Sequence, residues 1–275
     1  MTSKIQQGQH YRSKALYLLA RLGYASTRQI AKAIWGHCDI STRKMASRTL
    51  RRLLADGHVV ERRDGDTVTG ERMVGLTKSG ALQLAHFVSL PGNCEHTRDR
   101  LRHAHSHRSA ANSVYSSVAG DLLDLDIGWS ELEIRAGDAP HELASFRFRC
   151  NEQNQQKIPD ILFDFAGNIT WVEVENNWRS SNDFVKLVAF LRAMFSMERP
   201  LIQDVLFVIT APGAKTIGDR LRAELCHNDP VDATPRQLRT LDAHLLAERI
   251  RVMFLDADSL ELKTVFPIRE SGLVL

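Results

Sequence analysis

Cysteine is scarce in this chain: Cys38, Cys94, Cys150 and Cys226 lie far apart, and no two form a CxxC pair. Such sparse thiols exclude a disulfide scaffold and point to a reducing, cytoplasmic setting. Long apolar runs are missing too. None approaches the roughly 20 residues that span a bilayer, and the opening MTSKIQQGQHYRSK lacks the apolar core of a secretion signal. No membrane partner is therefore expected. Glycine and proline, 16 and 8 of 275 residues, are too few for a low-complexity or fibrous chain. What is present is an ordinary globular composition, long enough for one large core or two smaller ones.

The net charge of +3 hides an asymmetry. Residues 1–110 hold 19 Lys/Arg against 8 Asp/Glu, whereas residues 111–275 hold 17 against 25. A basic front half points to a polyanionic partner, and an acidic back half suits a metal or catalysis. The split predicts two modules: residues 1–90, a hinge at 91–107 with its boundary near Pro91-Gly92, and residues 108–275.

In the front module, Leu16, Leu18, Leu19 and Leu22 mark one side of a helix over 11–22, closed by Gly23-Tyr24. Ser26-Thr27 begins a short helix that turns Ile30, Ile34 and Trp35 inward. Ser41 is the expected cap of a third helix. Its apolar stripe is Met45, Leu50, Leu53 and Leu54, and its other side carries Arg43, Lys44, Ser47, Arg48, Arg51 and Arg52. Two β-like runs around Asp64-Gly65 follow, then a fourth helix from Leu76-Thr77. This order resembles the winged helix-turn-helix over about 80 residues. The resemblance implies that the third helix enters a DNA major groove while the wing touches backbone. Arg43, Lys44, Ser47 and Arg48 are then base-edge candidates, and Arg51, Arg52, Arg62 and Arg63 phosphate contacts. The plainer alternative is a solvated charged face, or a winged helix used for protein contacts.

The hinge carries His96, His103, His105 and His107. A His-x-His-x-His run invites comparison with the metal site of tyrosine relaxases. That site needs its histidines on a strand and a nearby tyrosine nucleophile, whereas Tyr11, Tyr17 and Tyr24 belong to the front helices. A zinc site built on Cys94-x-His96 has poor spacing. The hinge therefore reads as polar, with His107 kept as a catalytic candidate.

The most informative stretch is KIPDILFDFAGNITWVEVENNW, residues 157–178. Two β-type runs flank Gly167-Asn168, a hairpin signal. Alternation puts Trp171, Glu173 and Glu175 on one face. With Gly167-Asn168 as a two-residue turn, Asp160 falls opposite Glu175 and diagonal to Glu173, so three carboxylates converge. A three-residue loop would send Asp160 to the other face. Converging carboxylates repel, and such a group holds a divalent cation or raises a pKa.

Around this hairpin the pattern gives a helix over about 98–124, strands SELEIRA and FRFRC, a helix over 182–197, and the apolar strand DVLFVITA. Helices over 214–227 and 235–248 and a last strand RVMFLDA follow. The fold class expected is α/β, with a mixed sheet. Pro159-Asp160, then Glu173-x-Glu175, then a helix and a buried strand resemble the PD-(D/E)xK nuclease fold, the restriction-endonuclease-like core. Adding His107-Arg108, Asn112, Trp129-x-x-Leu-Glu133 and Lys186 behind a winged helix, the chain is similar to plasmid replication-relaxation proteins and MOBC relaxases.

That resemblance implies site-specific, metal-dependent nicking of plasmid or mobile-element DNA during mobilisation or conjugation. It implies Mg²⁺ or Mn²⁺ on Asp160, Glu173, Glu175 and Glu133, with Glu131 as the alternative to Glu133. Glu175 stands where the family has its lysine, so Lys186 is expected to substitute for it, and His107 to act as acid, base or phosphate contact. Implied partners are double-stranded or locally single-stranded DNA, accessory mobilisation or replication proteins, and a second copy of the chain. The competing reading is a non-catalytic DNA-binding regulator or accessory factor with a degenerate nuclease-like domain; a restriction-like or defence nuclease is a third.

Overall fold

The computed structural model describes residues 3–63, 71–86, 101, 105–177, 179–196, 201–211, 216–226 and 249–267. The turn expected at Asp64-Gly65, the boundary near Pro91-Gly92, Cys94, His96, His103 and the helix expected over 235–248 lie outside these residues. The protein is mixed α/β and divides into two units: Met1–Ala139 with Asp256–Leu262, and Pro140–Leu255 with Lys263–Leu275.

In the first unit, helix α1 (Lys4–Leu22) starts at a Ser3 capping box and ends at Gly23, whose φ of 79° is open to glycine. Leu16, Leu18, Leu19 and Leu22 are buried on one side of it, as their spacing demands. A short strand β1 (Ala25–Ser26) leads into α2 (Thr27–Trp35), which Ser26 caps through the Gln29 amide. Helix α3 (Ile40–Ala55) begins before the expected Ser41. Asp39 is its cap, accepting from Thr42 N at 2.7 Å while Thr42 Oγ1 accepts from Asp39 N. Asp outcompetes Ser here because its ionised carboxylate also complements the helix dipole. The Thr42 hydrogen bonds hold that carboxyl below its usual range.

Strands β2 (Val59–Arg63) and β3 (Arg72–Leu76) pair antiparallel, and β1 adds to β3, giving the order β1-β3-β2. Helix α4 (Lys78–Ala85) follows, capped by Thr77. The rest of the unit is α5 (Ser106–Leu122), β4 (Gly128–Ser130) and α6 (Glu131–Ala136). The sequence expectation places residues 108–139 with the second module, whereas α5 packs against α2 in the first. A Cβ on Gly120 would stand 2.2 Å from the Lys32 carbonyl oxygen, so the two helix backbones approach as only glycine permits. From the distant segment, the Ala257 and Asp258 carbonyls accept from Arg28 Nη2, while Arg28 Nη1 lies 3.1 Å from Glu71.

SELEIRA, expected as a strand, is strand only to Ser130 and helix thereafter. Ser130 and Glu133 form a capping box, and Gly137 at φ 87° terminates the turn. The Ser-x-x-Glu spacing with a following glycine is a helix start and stop, and it overrides the apparent alternation. Glu131 and Glu133 therefore point in different directions rather than sharing a strand face.

The second unit opens with an antiparallel pair, β5 (Phe146–Cys150) and β6 (Gln153–Lys157). Then come β7 (Ile161–Phe165), β8 (Asn168–Glu175), α7 (Ser181–Phe195), β9 (Asp204–Ile209), α8 (Thr216–Cys226), β10 (Ile250–Leu255) and β11 (Leu262–Pro267). They build a mixed sheet in the order β11-β10-β9-β8-β7, with β7 antiparallel to β8 and β8, β9 and β10 mutually parallel. Val205 to Ile209 are all buried, which explains the unbroken apolar run of β9.

The β7–β8 turn falls one residue earlier than expected. Phe165 pairs with Asn168, and Ala166 and Gly167 turn at φ 55° and 90°. Positive φ at both central residues is the type I′ signature. Asp164 Oδ1 accepts from Gly167 N at 2.6 Å and fixes the turn there. The register moves by two: Ile161 pairs with Val172, not Val174, and Asp160, just before the strand, donates its N–H to Val172 O.

Candidate functional site

Strand β8 is flanked by β7 and β9, so its whole inner length is buried, including two carboxylates. Glu173 and Glu175 are each 2% exposed and share a face with Trp171. Buried carboxylates persist only when partnered. Glu173 has Lys157 Nζ at 2.7 Å from Oε2, Trp171 Nε1 donating to Oε1 at 2.6 Å, and Arg179 Nη2 at 3.4 Å. Burial pushes its carboxyl up and the Asp160 charge adds to this, while Lys157 and the Trp171 N–H pull the other way.

Among the described residues Glu175 is held by Arg179. Arg179 Nε reaches both carboxylate oxygens, at 2.7 and 2.8 Å, and its Nη2 lies 2.6 Å from Oε1. Burial disfavours the Arg179 charge, but Glu175, Glu173 and Asp160 outweigh it and hold the guanidinium protonated. The Arg179 carbonyl in turn accepts from Arg220 Nη1 at 2.8 Å, and the Arg220 guanidinium lies 4.1 Å from the Phe184 ring centre.

Asp160 enters from just before β7. Its N–H donates to Val172 O, and its Oδ2 accepts from Val174 N at 2.8 Å, so its carboxylate lies on β8. Asp160, Glu173, Lys157 and Arg179 thus meet within one unit. Over them, Phe190 of α7 packs on Trp171 at 5.1 Å and lies 5.7 Å from Lys157 Nζ.

Lys157 is the residue the sequence reading missed. It closes β6, a strand of the separate β5–β6 pair, and reaches Glu173 from there. The signal available was the Lys at the head of the Lys-Ile-Pro-Asp run, three residues before Asp160. Lys186 lies on the exposed part of α7, 3.9 Å from Asp183, with a half-exposed side chain.

Glu133 belongs to the first unit, where Arg21 Nε lies 2.6 Å from Oε1 and Ser130 N donates to Oε2 at 2.8 Å. Burial raises its carboxyl, against the pull of Arg21. Glu131 takes Arg108 Nε at 3.2 Å and Arg135 Nε at 2.7 Å. His107 sits in the first turn of α5, its ring stacked 6.4 Å from His105. His105 Nδ1 caps that helix by accepting from Arg108 N at 3.2 Å, and burial with the Arg108 charge lowers its pKa.

Among the described residues no three His, Cys, Asp or Glu side chains form a ligand set for one ion. Magnesium does not require such a cage, since one or two carboxylates with substrate phosphates and waters suffice. Both Glu173 oxygens are engaged, Oε1 by the Trp171 N–H and Oε2 by Lys157, as both Glu175 oxygens are by Arg179, and Asp160 Oδ2 accepts from Val174 N.

On α3, Arg43, Lys44, Arg48, Arg51 and Arg52 are exposed and Ser47 is half-exposed, opposite buried Thr42, Ala46, Leu50 and Leu53. Arg62 is exposed on β2, its Nη1 donating to Leu101 O at 3.5 Å, and Arg63 pairs in register with Arg72. Compared with protein-family models, curated proteins and solved structures, the chain matches none.

Proposed function

We propose that the chain binds DNA through the basic face of α3 and cleaves a phosphodiester bond with Asp160, Glu173 and Lys157. The observation that supports the reading is the meeting of two carboxylates and a lysine, drawn from the end of β6, the residue before β7 and the interior of β8, in a largely buried setting. The order helix, strand, two helices and hairpin, with a β1-β3-β2 sheet, supports a winged helix-turn-helix. Five exposed Arg/Lys on one helix face match the polyanionic backbone of DNA.

Asp160 and Glu173 would hold Mg²⁺ or Mn²⁺, which supplies Lewis acidity toward a phosphate oxygen and lowers the pKa of bound water. Lys157, already 2.7 Å from Glu173, is placed to offset phosphate charge next to those carboxylates. Arg179 holds Glu175 and fixes the exit of β8. In hydrolysis the water oxygen bonds to phosphorus and a P–O ester bond breaks, leaving a phosphomonoester and a hydroxyl. Nicking of plasmid or mobile-element DNA by a relaxase-like route is the form of this reaction that the motif order favours.

One observation favours a second reading. The Glu175–Arg179 pair is closed and bidentate, and Glu173 already has cationic partners. A site neutralised in this way also suits a non-catalytic DNA-binding regulator. A nicking assay on supercoiled plasmid bearing candidate origin regions, with Mg²⁺ or Mn²⁺, separates the two. Cleavage by the wild type that is lost in Asp160→Ala and Glu173→Ala, with DNA binding retained, supports the enzyme. Intact plasmid under every condition, with binding still lost in Arg48→Ala, supports the regulator.

A further inference from the structure

The β5–β6 pair has two unlike faces. Phe146 and Phe148 pack edge-on against Phe190 of α7, each with ring centres 5.7 Å apart, and Lys157 opposite Phe146 reaches Glu173. The other face carries Arg147, Arg149, Asn154 and Gln156, all exposed. Register places Arg147 across from Gln156 and Arg149 across from Asn154. The ten residues of the two strands, FRFRC and QNQQK, contain no acid. An exposed strand face in a soluble protein ordinarily mixes charges of both signs, and this one does not. Within the face, Gln156 Nε2 donates to Ser145 Oγ at 2.8 Å.

Arginine, asparagine and glutamine are the side chains that make bidentate hydrogen bonds with guanine and adenine edges. A two-stranded ribbon is one of the two elements that the major groove admits. Alternate residues on a strand are about 6.6 Å apart, close to two base-pair steps of about 3.4 Å each. The phenylalanines seated on α7 hold the ribbon in one conformation, so little entropy is lost when it docks.

We infer that the exposed face of the β5–β6 ribbon is a second duplex-DNA contact, carried by the unit that holds Asp160 and Glu173 and seated in the major groove. Lys157 ends the ribbon at Glu173, so DNA lying along Arg147 and Arg149 is led toward the carboxylates. The inference rests on the DNA-binding reading above but not on catalysis.

The test is fluorescence anisotropy of a labelled duplex with the full chain across a salt series, comparing wild type, Arg48→Ala, Arg147→Ala/Arg149→Ala and Arg147→Lys/Arg149→Lys. The alanine pair is expected to lose about thirtyfold or more in affinity, since two arginine contacts to base edges are removed. The slope of log affinity against log salt should fall by up to about 2, because each guanidinium removed also takes a positive charge from beside the phosphates that flank the groove. The lysine pair should keep the wild-type slope. Wild-type affinity and slope in the alanine pair, with binding weakened in Arg48→Ala, overturns the ribbon and leaves the α3 reading intact. Absence of duplex binding by the wild type overturns both. If the alanine pair melts lower than wild type, Arg147→Gln/Arg149→Gln, which keeps the ribbon polar, gives the same reading.

Discussion

Lys157 Nζ lies 2.7 Å from Glu173 Oε2, so a cation at the end of one strand neutralises a carboxylate that is 2% exposed on another. Lys157→Met leaves Glu173, among the described residues, with Arg179 at 3.4 Å as its remaining cation. Stability is expected to fall by about 3 kcal/mol, the scale for breaking a buried ion pair. Lys186→Ala, at an exposed site, should change it by less than about 0.5 kcal/mol. Urea unfolding followed by tryptophan fluorescence reads both, and equal effects would remove the distinction between the two lysines.

If Asp160 and Glu173 hold a divalent ion, that ion stabilises the folded chain. At a free concentration of about five times Kd the gain is about 1 kcal/mol. Differential scanning fluorimetry should show a rise in Tm with Mg²⁺ or Mn²⁺ for the wild type and none for Asp160→Asn. A rise that survives Asp160→Asn locates the ion elsewhere.

Arg21 is the polar hub of the first unit. It is 5% exposed and donates to the Leu125 and Gly128 carbonyls, to Asp126 at 2.9 Å and to Glu133 at 2.6 Å. Arg21→Met removes all four contacts and strands the Glu133 charge. The expected loss is about 3–5 kcal/mol, measured as a shift in the denaturation midpoint. A double variant with Glu133→Gln should recover part of it, because the unpaired charge is gone. No recovery would show that the carbonyls, not Glu133, are the costly orphans.

Glu131 gives a pH signature. Burial pushes its carboxyl up, but the hydrogen bonds and charges of Arg108 and Arg135 outweigh this and hold it below the ordinary 4.5. The folded protein therefore binds fewer protons here than the unfolded one. The resulting stability is fully present above pH 4.5 and is lost as pH falls through the folded value. The advantage of wild type over Glu131→Gln should shrink steadily below pH 5 in urea melts. A constant difference down to pH 3 would contradict the pairing.

Local rules read from the sequence were reliable where one interaction dominates. The leucines of α1, the Ser26 cap and the apolar β9 are each set by burial or by a single cap. Face parity along β7 survived a wrong turn position, because moving a two-residue turn by one shifts register by two. The position itself was settled by Asp164, a side chain that competes with the Gly-Asn dipeptide for the turn.

The cationic partner could not be read this way. Lys186 follows β8 by a plausible helical offset, while Lys157 reaches Glu173 from a separate two-stranded ribbon. Sequence spacing does not encode that route until β6 is known to be a strand. SELEIRA failed for a related reason. Its alternation is compatible with a strand, but the Ser130–Glu133 box satisfies amide donors that only a helix start leaves open.

The two carbonyls that receive Arg28 come from Ala257 and Asp258, more than 220 residues downstream. Synthesis proceeds from the N-terminus, and domains ordinarily fold as they emerge. Here the first unit cannot complete its contacts until residues 256–262 have left the ribosome, by which time the strands of the second sheet up to β10 have emerged. Neither unit is a single contiguous stretch, so no single break in the chain yields both intact.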